Sequence, residues 1–108
     1  MPSSKRNDPF EALAHPIRRD ILVLLRDEPG ITAGMIAARF PIVSRPAVSR
    51  HLGILRGARM VRSRAEGREE RYRLVPGALA SARSWLDGFD TLLDGSLARL
   101  KSAVEADE

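Results

Sequence analysis

The sequence has no cysteine, and only two lysines and two histidines among its 108 residues. Without cysteine there can be no disulfide and no thiolate metal site. His15 and His51 stand apart with no carboxylate cluster beside either, so no metal and no cofactor is expected. No apolar run approaches the roughly 20 residues that span a bilayer. The polar start MPSSKRNDP has none of the apolar core of a secretory signal. A cytoplasmic protein without a membrane partner is the expectation. A Gly-rich phosphate loop, a nucleophile–base pair and a metal constellation are all missing, which argues against an enzyme. Internal repeats and low-complexity segments are missing too.

What is present is arginine, sixteen of them, in a chain of net charge +4. One domain with a modest core fits this length. The charge is unevenly spread. Residues 44–75 hold nine arginines against three glutamates, whereas residues 76–108 hold three basic and six acidic side chains. A basic middle between a balanced start and an acidic end points to one face that meets a polyanion.

The run SRPAVSRHLGIL, Ser44 to Leu55, lies in that basic middle. Val48, Leu52 and Leu55 recur at the i, i+4, i+7 spacing of a helix with one buried face. Arg45, Ser49, Arg50 and Arg56 fall on its other face. Ser44 is placed to cap the first turn, where Pro46 is tolerated because the early amides have no intrahelical partner. A helix apolar behind and Ser/Arg-rich in front suits a major groove, where serine reaches phosphate or base edge and arginine reaches guanine.

Upstream, residues 1–7 read as a disordered lead and residues 8–108 as the folded domain. Asp8 and Pro9 start a short helix to about Ala14, with Phe10 and Leu13 turned inward. Pro16 opens a second helix, with Ile17, Ile21, Leu24 and Leu25 at helical spacing, closed by Pro29-Gly30. Thr32 caps a third, containing Met35, Ile36 and Phe40, which Pro41 breaks. The turn Pro41–Val43 then leads into the Ser44 helix, giving helix-turn-helix geometry. Met60–Arg64 and Glu70–Val75 read as two strands around the charged tip Ala65–Arg68. Arg71 and Arg73 alternate with Tyr72 and Leu74, so one face of this hairpin is polar. The expected class is therefore mainly α with a small β-hairpin: about five helices and a two-stranded wing.

A final helix from about Pro76 to residue 104 carries Leu79, Ala82, Trp85, Leu86, Phe89, Leu92, Leu93, Leu97, Leu100 and Val104. That apolar face is wider than one domain's core requires. The excess points to a partner helix, most simply that of a second copy.

HPIRRDILVLL, SRPAVSRHLGIL and EGREERYRL, in this order and spacing, closely resemble the ArsR-type winged helix-turn-helix repressors from about Phe10 to Trp85 and beyond. The resemblance implies a homodimeric transcriptional regulator, commonly a repressor and often of its own operon. It implies that the first and last helices make the dimer, the Ser44 helix reads DNA, and the wing lies along the backbone or in the minor groove. Two departures stand out. Arg59 occupies a position where the family usually has glycine. The cysteines of metal-sensing members, and their paired Asp and His ligands on the last helix, have no counterpart here, so the chain resembles the subgroup without a recognisable metal site.

The expected contacts to double-stranded operator DNA are Ser44, Arg45, Ser49, Arg50, His51, Arg64 and Arg68. Ser49 has an alternative role, a hydrogen bond to the preceding turn. Arg64 and Arg68 have a solvated wing surface as their alternative reading. His51 is expected on the helix surface or at a phosphate, and His15 as a helix-start residue without chemistry. For Arg18 and Arg19, DNA and an ion pair with Asp20 or Asp27 are both open. The expected dimer interface is Phe10, Leu13, Trp85, Leu86, Phe89, Leu93, Leu97 and Leu100. A winged-helix module that binds protein or RNA is the alternative function.

Overall fold

The computed structural model describes residues 8–89. Among these residues, five helices and three short strands follow in the order α, α, β, α, α, β, β, α. The first helix, α1 (Pro9–Leu13), starts at Asp8, whose Oδ1 accepts the Phe10 amide over 2.9 Å. Its buried residue is Ala12; Phe10 is more than a third exposed, so the expected inward turn of Phe10 does not occur. Phe10 instead meets the edge of Trp85, ring centroids 5.1 Å apart.

Helix α2 (Pro16–Asp27) is capped by His15, whose Nδ1 accepts the Ile17 amide over 3.2 Å. It buries Ile21, Leu22 and Leu25, with Ile17 and Leu24 half-buried beside them. After it comes a strand that the sequence reading lacks, β1 (Ile31–Thr32). Helix α3 (Ala33–Ala38) begins with Thr32 Oγ1 accepting the Met35 amide, as expected, but stops short of Phe40. Phe40 packs on the core from the turn that follows.

Helix α4 (Arg45–Gly57) has Ser44 as its cap and Val48, Leu52 and Leu55 as its buried row. It ends in a left-handed residue. The Met60 amide donates to Leu55 O and the Arg59 amide to Arg56 O, both over 3.0 Å, with Arg59 at φ 61°. This pair of bonds closes the helix around a residue normally glycine. The usual family glycine at Arg59 thus has a backbone reason.

The hairpin is longer and tighter than expected: β2 (Val61–Glu66) and β3 (Glu69–Leu74) pair antiparallel from Val61↔Leu74 to Glu66↔Glu69, leaving Gly67-Arg68 as the turn. Gly67 takes the positive φ that a two-residue hairpin turn needs. β1 pairs antiparallel with β3, so the sheet has three strands in the order β1-β3-β2. The last described helix, α5 (Ala80–Asp87), starts four residues later than expected, after a turn with Gly77 at φ 71°.

The core is the meeting of α2, α3, α4 and the base of the hairpin. Ile21, Leu25, Ile36, Val48, Leu52, Leu55, Met60 and Val61 are its largest fully buried side chains. Each contributes about 1.5–3 kcal/mol by burial. No helix among the described residues is long and apolar enough to cross a membrane.

Candidate nucleic-acid interface

The buried row of α4 fixes which of its side chains face out. With Val48, Leu52 and Leu55 sealed in the core, Arg45, Ser49, Arg50 and Arg56 are all exposed. Ser44 is exposed too, but its Oγ is engaged, accepting the Ala47 amide over 3.2 Å. The hydroxyl proton remains for a second partner.

The hairpin register sorts the wing arginines. Cross-strand partners share a face, so Arg62 and Arg64 of β2 stand on the same face as Arg73 and Arg71 of β3. Arg64 lies directly opposite Arg71. Two like charges so placed would repel, but Arg71 is neutralised: Glu66 lies 3.2 Å and Glu69 3.5 Å from its guanidinium. Arg71 also donates to Gly30 O over 2.8 Å, tying the wing to the loop before β1. Arg45, Arg50, Arg62, Arg64 and Arg68 form no ion pair among the described residues. Arg62 was not among the expected contacts; its signal was its two-residue offset from Arg64.

The start of α4 and the wing tip come together. A cleft of about 380 Å³ is lined by Thr32, Gly34, Arg45, Arg68, Glu69 and Tyr72, among others. Arg45, from one element, and Arg68, from another, thus flank a single polar concavity. The two arginines lie 23 positions apart in the chain, and only the fold joins them.

His51 is half-buried, on the flank of α4 that meets α2. Its Nδ1 lies 3.3 Å from Arg18 Nη1, and its ring sits 4.5 Å from that of His15. Burial, reinforced by His15, Arg18 and Arg50, holds its pKa below the ordinary value. Arg18 makes no ion pair among the described residues. It is buried, and donates from Nε to Ala12 O over 2.7 Å and from Nη2 to Glu11 O over 2.9 Å. Arg19 donates to Leu13 O over 2.6 Å. Neither forms the expected ion pair among the described residues; both bond the carbonyls that end α1, which a helix terminus leaves unsatisfied. Asp27 pairs with Arg26 instead.

Phe10, Trp85, Leu86 and Phe89 form an exposed apolar patch in which Trp85 links the other two rings, at 5.1 Å to Phe10 and 4.6 Å to Phe89. Leu13 is half-buried against the core. Leu93, Leu97 and Leu100 lie outside the described residues. Among the described residues no group of three or more His, Cys, Asp or Glu could hold a metal.

Comparison with known proteins agrees with this geometry. A family described as a helix-turn-helix domain matches residues 13–64. The HTH-type transcriptional regulator Rv2034 of Mycobacterium tuberculosis is 44% identical over 82 residues, 76% of this chain and 75% of its own. The transcriptional repressor SdpR of Bacillus subtilis is 36% identical over 91 residues, 84% of this chain and 99% of its own. Among solved structures, an ArsR-like transcriptional regulator from Rhodococcus superposes with a TM-score of 0.70 at 34% identity, covering 92% of this chain and 89% of that one. With its helix-turn-helix, its wing and these relatives, the chain belongs to the ArsR-type winged helix-turn-helix family and is a DNA-binding transcriptional regulator.

Proposed function

We propose that this protein is a cytoplasmic, non-enzymatic homodimer that represses transcription by occupying an operator, including one at its own promoter. Each protomer lays α4 in a major groove, with half-sites about 34 Å apart. Ser49 and Arg50 read base edges, Arg45 and Ser44 hold the groove margin, and Arg64 and Arg68 of the wing hold phosphate or minor groove. The dimer forms through α1 and the last helix, in the arrangement expected of residues 76–104. The observation that carries this reading is the two-sidedness of α4: a fully buried Val48–Leu52–Leu55 row behind an exposed Arg45, Ser49 and Arg50.

The test is footprinting on the promoter of its own gene, followed by operator and random-duplex affinities for wild type and Arg50→Ala. A good bidentate contact is worth roughly 1–3 kcal/mol of discrimination, so Arg50→Ala should lose operator binding far more than random binding. An unchanged ratio would show that α4 is not the reader and would favour a protein- or RNA-binding module. One solved relative, CMTR of Mycobacterium tuberculosis, is a cadmium metal-sensor. Soft cadmium favours sulfur ligands, and this sequence has no cysteine, so stoichiometric cadmium should leave the footprint in place; loss of the footprint would refute a metal-independent operator complex.

A further inference from the structure

Arg18 joins three helices. Its guanidinium donates to Ala12 O and Glu11 O at the end of α1, belongs to α2, and reaches His51 Nδ1 on α4. A guanidinium only donates. His51 Nδ1 is therefore the unprotonated, accepting nitrogen, and the ring's one proton sits on Nε2. His15 lies beside it, the ring planes inclined by 51°, with its own Nδ1 engaged as the acceptor that caps α2. Two imidazoles 36 positions apart in the chain thus meet with both Nδ1 atoms committed to accepting.

We propose that the His15–His51–Arg18 cluster is a proton-sensitive joint, in which a proton taken up by His51 weakens operator binding. This rests on α4 being the reading helix. A proton on Nδ1 replaces the acceptor with a donor aimed at another donor. It also adds positive charge beside Arg18 and His15 from α2 and Arg50 from α4 itself. These are the groups acting on the ring, none of them acidic, and α1 presents only backbone carbonyls to Arg18. Nothing in this set compensates a second cation. The ring must turn away or Arg18 must let go of α1, and either movement disturbs the turn of α4 that carries Arg50.

For folding, the sign follows from the lowered pKa of His51; for operator binding it follows from the loss of the Arg18–His51 contact. The neutral ring is favoured in the folded state, so its contribution is complete above the ordinary value of 6.5 and is lost as pH falls from there through the lowered folded value. A phosphate contact by His51 would behave in the opposite way, since a phosphate favours imidazolium and acid would tighten binding.

The experiment uses a duplex selected by the full-length protein from a random-sequence library. Its affinity is measured from about pH 7.5 to about pH 5.5 at constant ionic strength, for wild type and His51→Asn. Asparagine places an amide oxygen near the Nδ1 position and does not titrate. Wild type should lose severalfold more affinity than the variant over this range; about one pKa unit of coupling reaches about tenfold only well below both pKa values. Equal pH dependence in both overturns the joint, and acid tightening abolished by His51→Asn replaces it with a phosphate contact. If no duplex is selected, operator reading itself fails, and the joint is judged by thermal unfolding. The wild-type midpoint should then fall more steeply with acid than that of the variant, and parallel curves overturn it. Should the variant not fold, NMR of wild type decides: backbone amides of Ala12 and Arg50 that shift together with the His51 ring titration support the joint, and amides that stay put overturn it.

Discussion

Arg56 donates a hydrogen bond from Nη1 to Ser63 Oγ over 2.8 Å, joining the last turn of α4 to the first wing strand. Ser63 passes the link across the hairpin, its hydroxyl donating to Glu70 over 3.3 Å. Helix α4 and the wing are thus braced against one another by side chains. The pair is exposed, so Arg56→Ala should change stability by no more than about 0.5 kcal/mol. It should speed amide exchange in β2 and β3 and weaken binding to every duplex. Wing amides protected as in wild type would show that the brace carries no weight.

Arg68 occupies the hairpin turn, where a cation meets phosphate more readily than base. Arg68→Ala should weaken operator and random duplex alike and shallow the salt dependence by about one unit of slope. Affinities across a salt series check this. A loss confined to the operator would make Arg68 a reader instead.

Arg59 bears a left-handed backbone at φ 61°. For a residue with a side chain that conformation costs roughly 1–2 kcal/mol, and glycine avoids most of it. Arg59→Gly should therefore raise stability by about 1 kcal/mol, net of glycine's larger unfolded-state entropy. Urea unfolding of the two proteins is the measurement. A destabilised variant would mean that the Arg59 side chain holds something worth more than the strain.

Trp85 is more than half exposed at the centre of the Phe10–Trp85–Phe89 patch. In the proposed dimer it is covered by the second copy. Trp85→Glu should shift sedimentation from dimer to monomer at micromolar concentration without unfolding α2–α4. A wild-type chain that sediments as a folded monomer would remove the basis for this assignment.

Much of the site was legible because its signals are local. The α4 row and the Ser44 cap follow from helical spacing and one hydroxyl, and both are found as read. What was not legible depends on distance in the chain. β1 is two residues long, too short to show a period, and exists because Tyr72 and Arg71 pair with it. Arg18 looked like a surface cation because its acceptors are backbone carbonyls, which no side-chain pattern reveals. The helix after the wing was placed too early because Leu79 continues its apolar rhythm back through a turn set by Gly77. Formal charge misled in one respect. Arg71 counts toward the basic middle, yet the hairpin register commits it to Glu66 and Glu69.

The wing's two strands run six residues each, a length of about 20 Å at the usual rise per residue. Its base is anchored in the core by Val61 and Tyr72, while Arg68 rides at the far end. The hairpin is therefore a lever with its fulcrum in the hydrophobic interior. Tyr72 lies about 13 Å from the turn at the usual rise per residue, so a rotation of about 10° there moves the tip by about 2 Å, enough to break a hydrogen bond. In the proposed operator complex, small repacking around Val61 and Tyr72 is enough to shift the tip arginine relative to a phosphate.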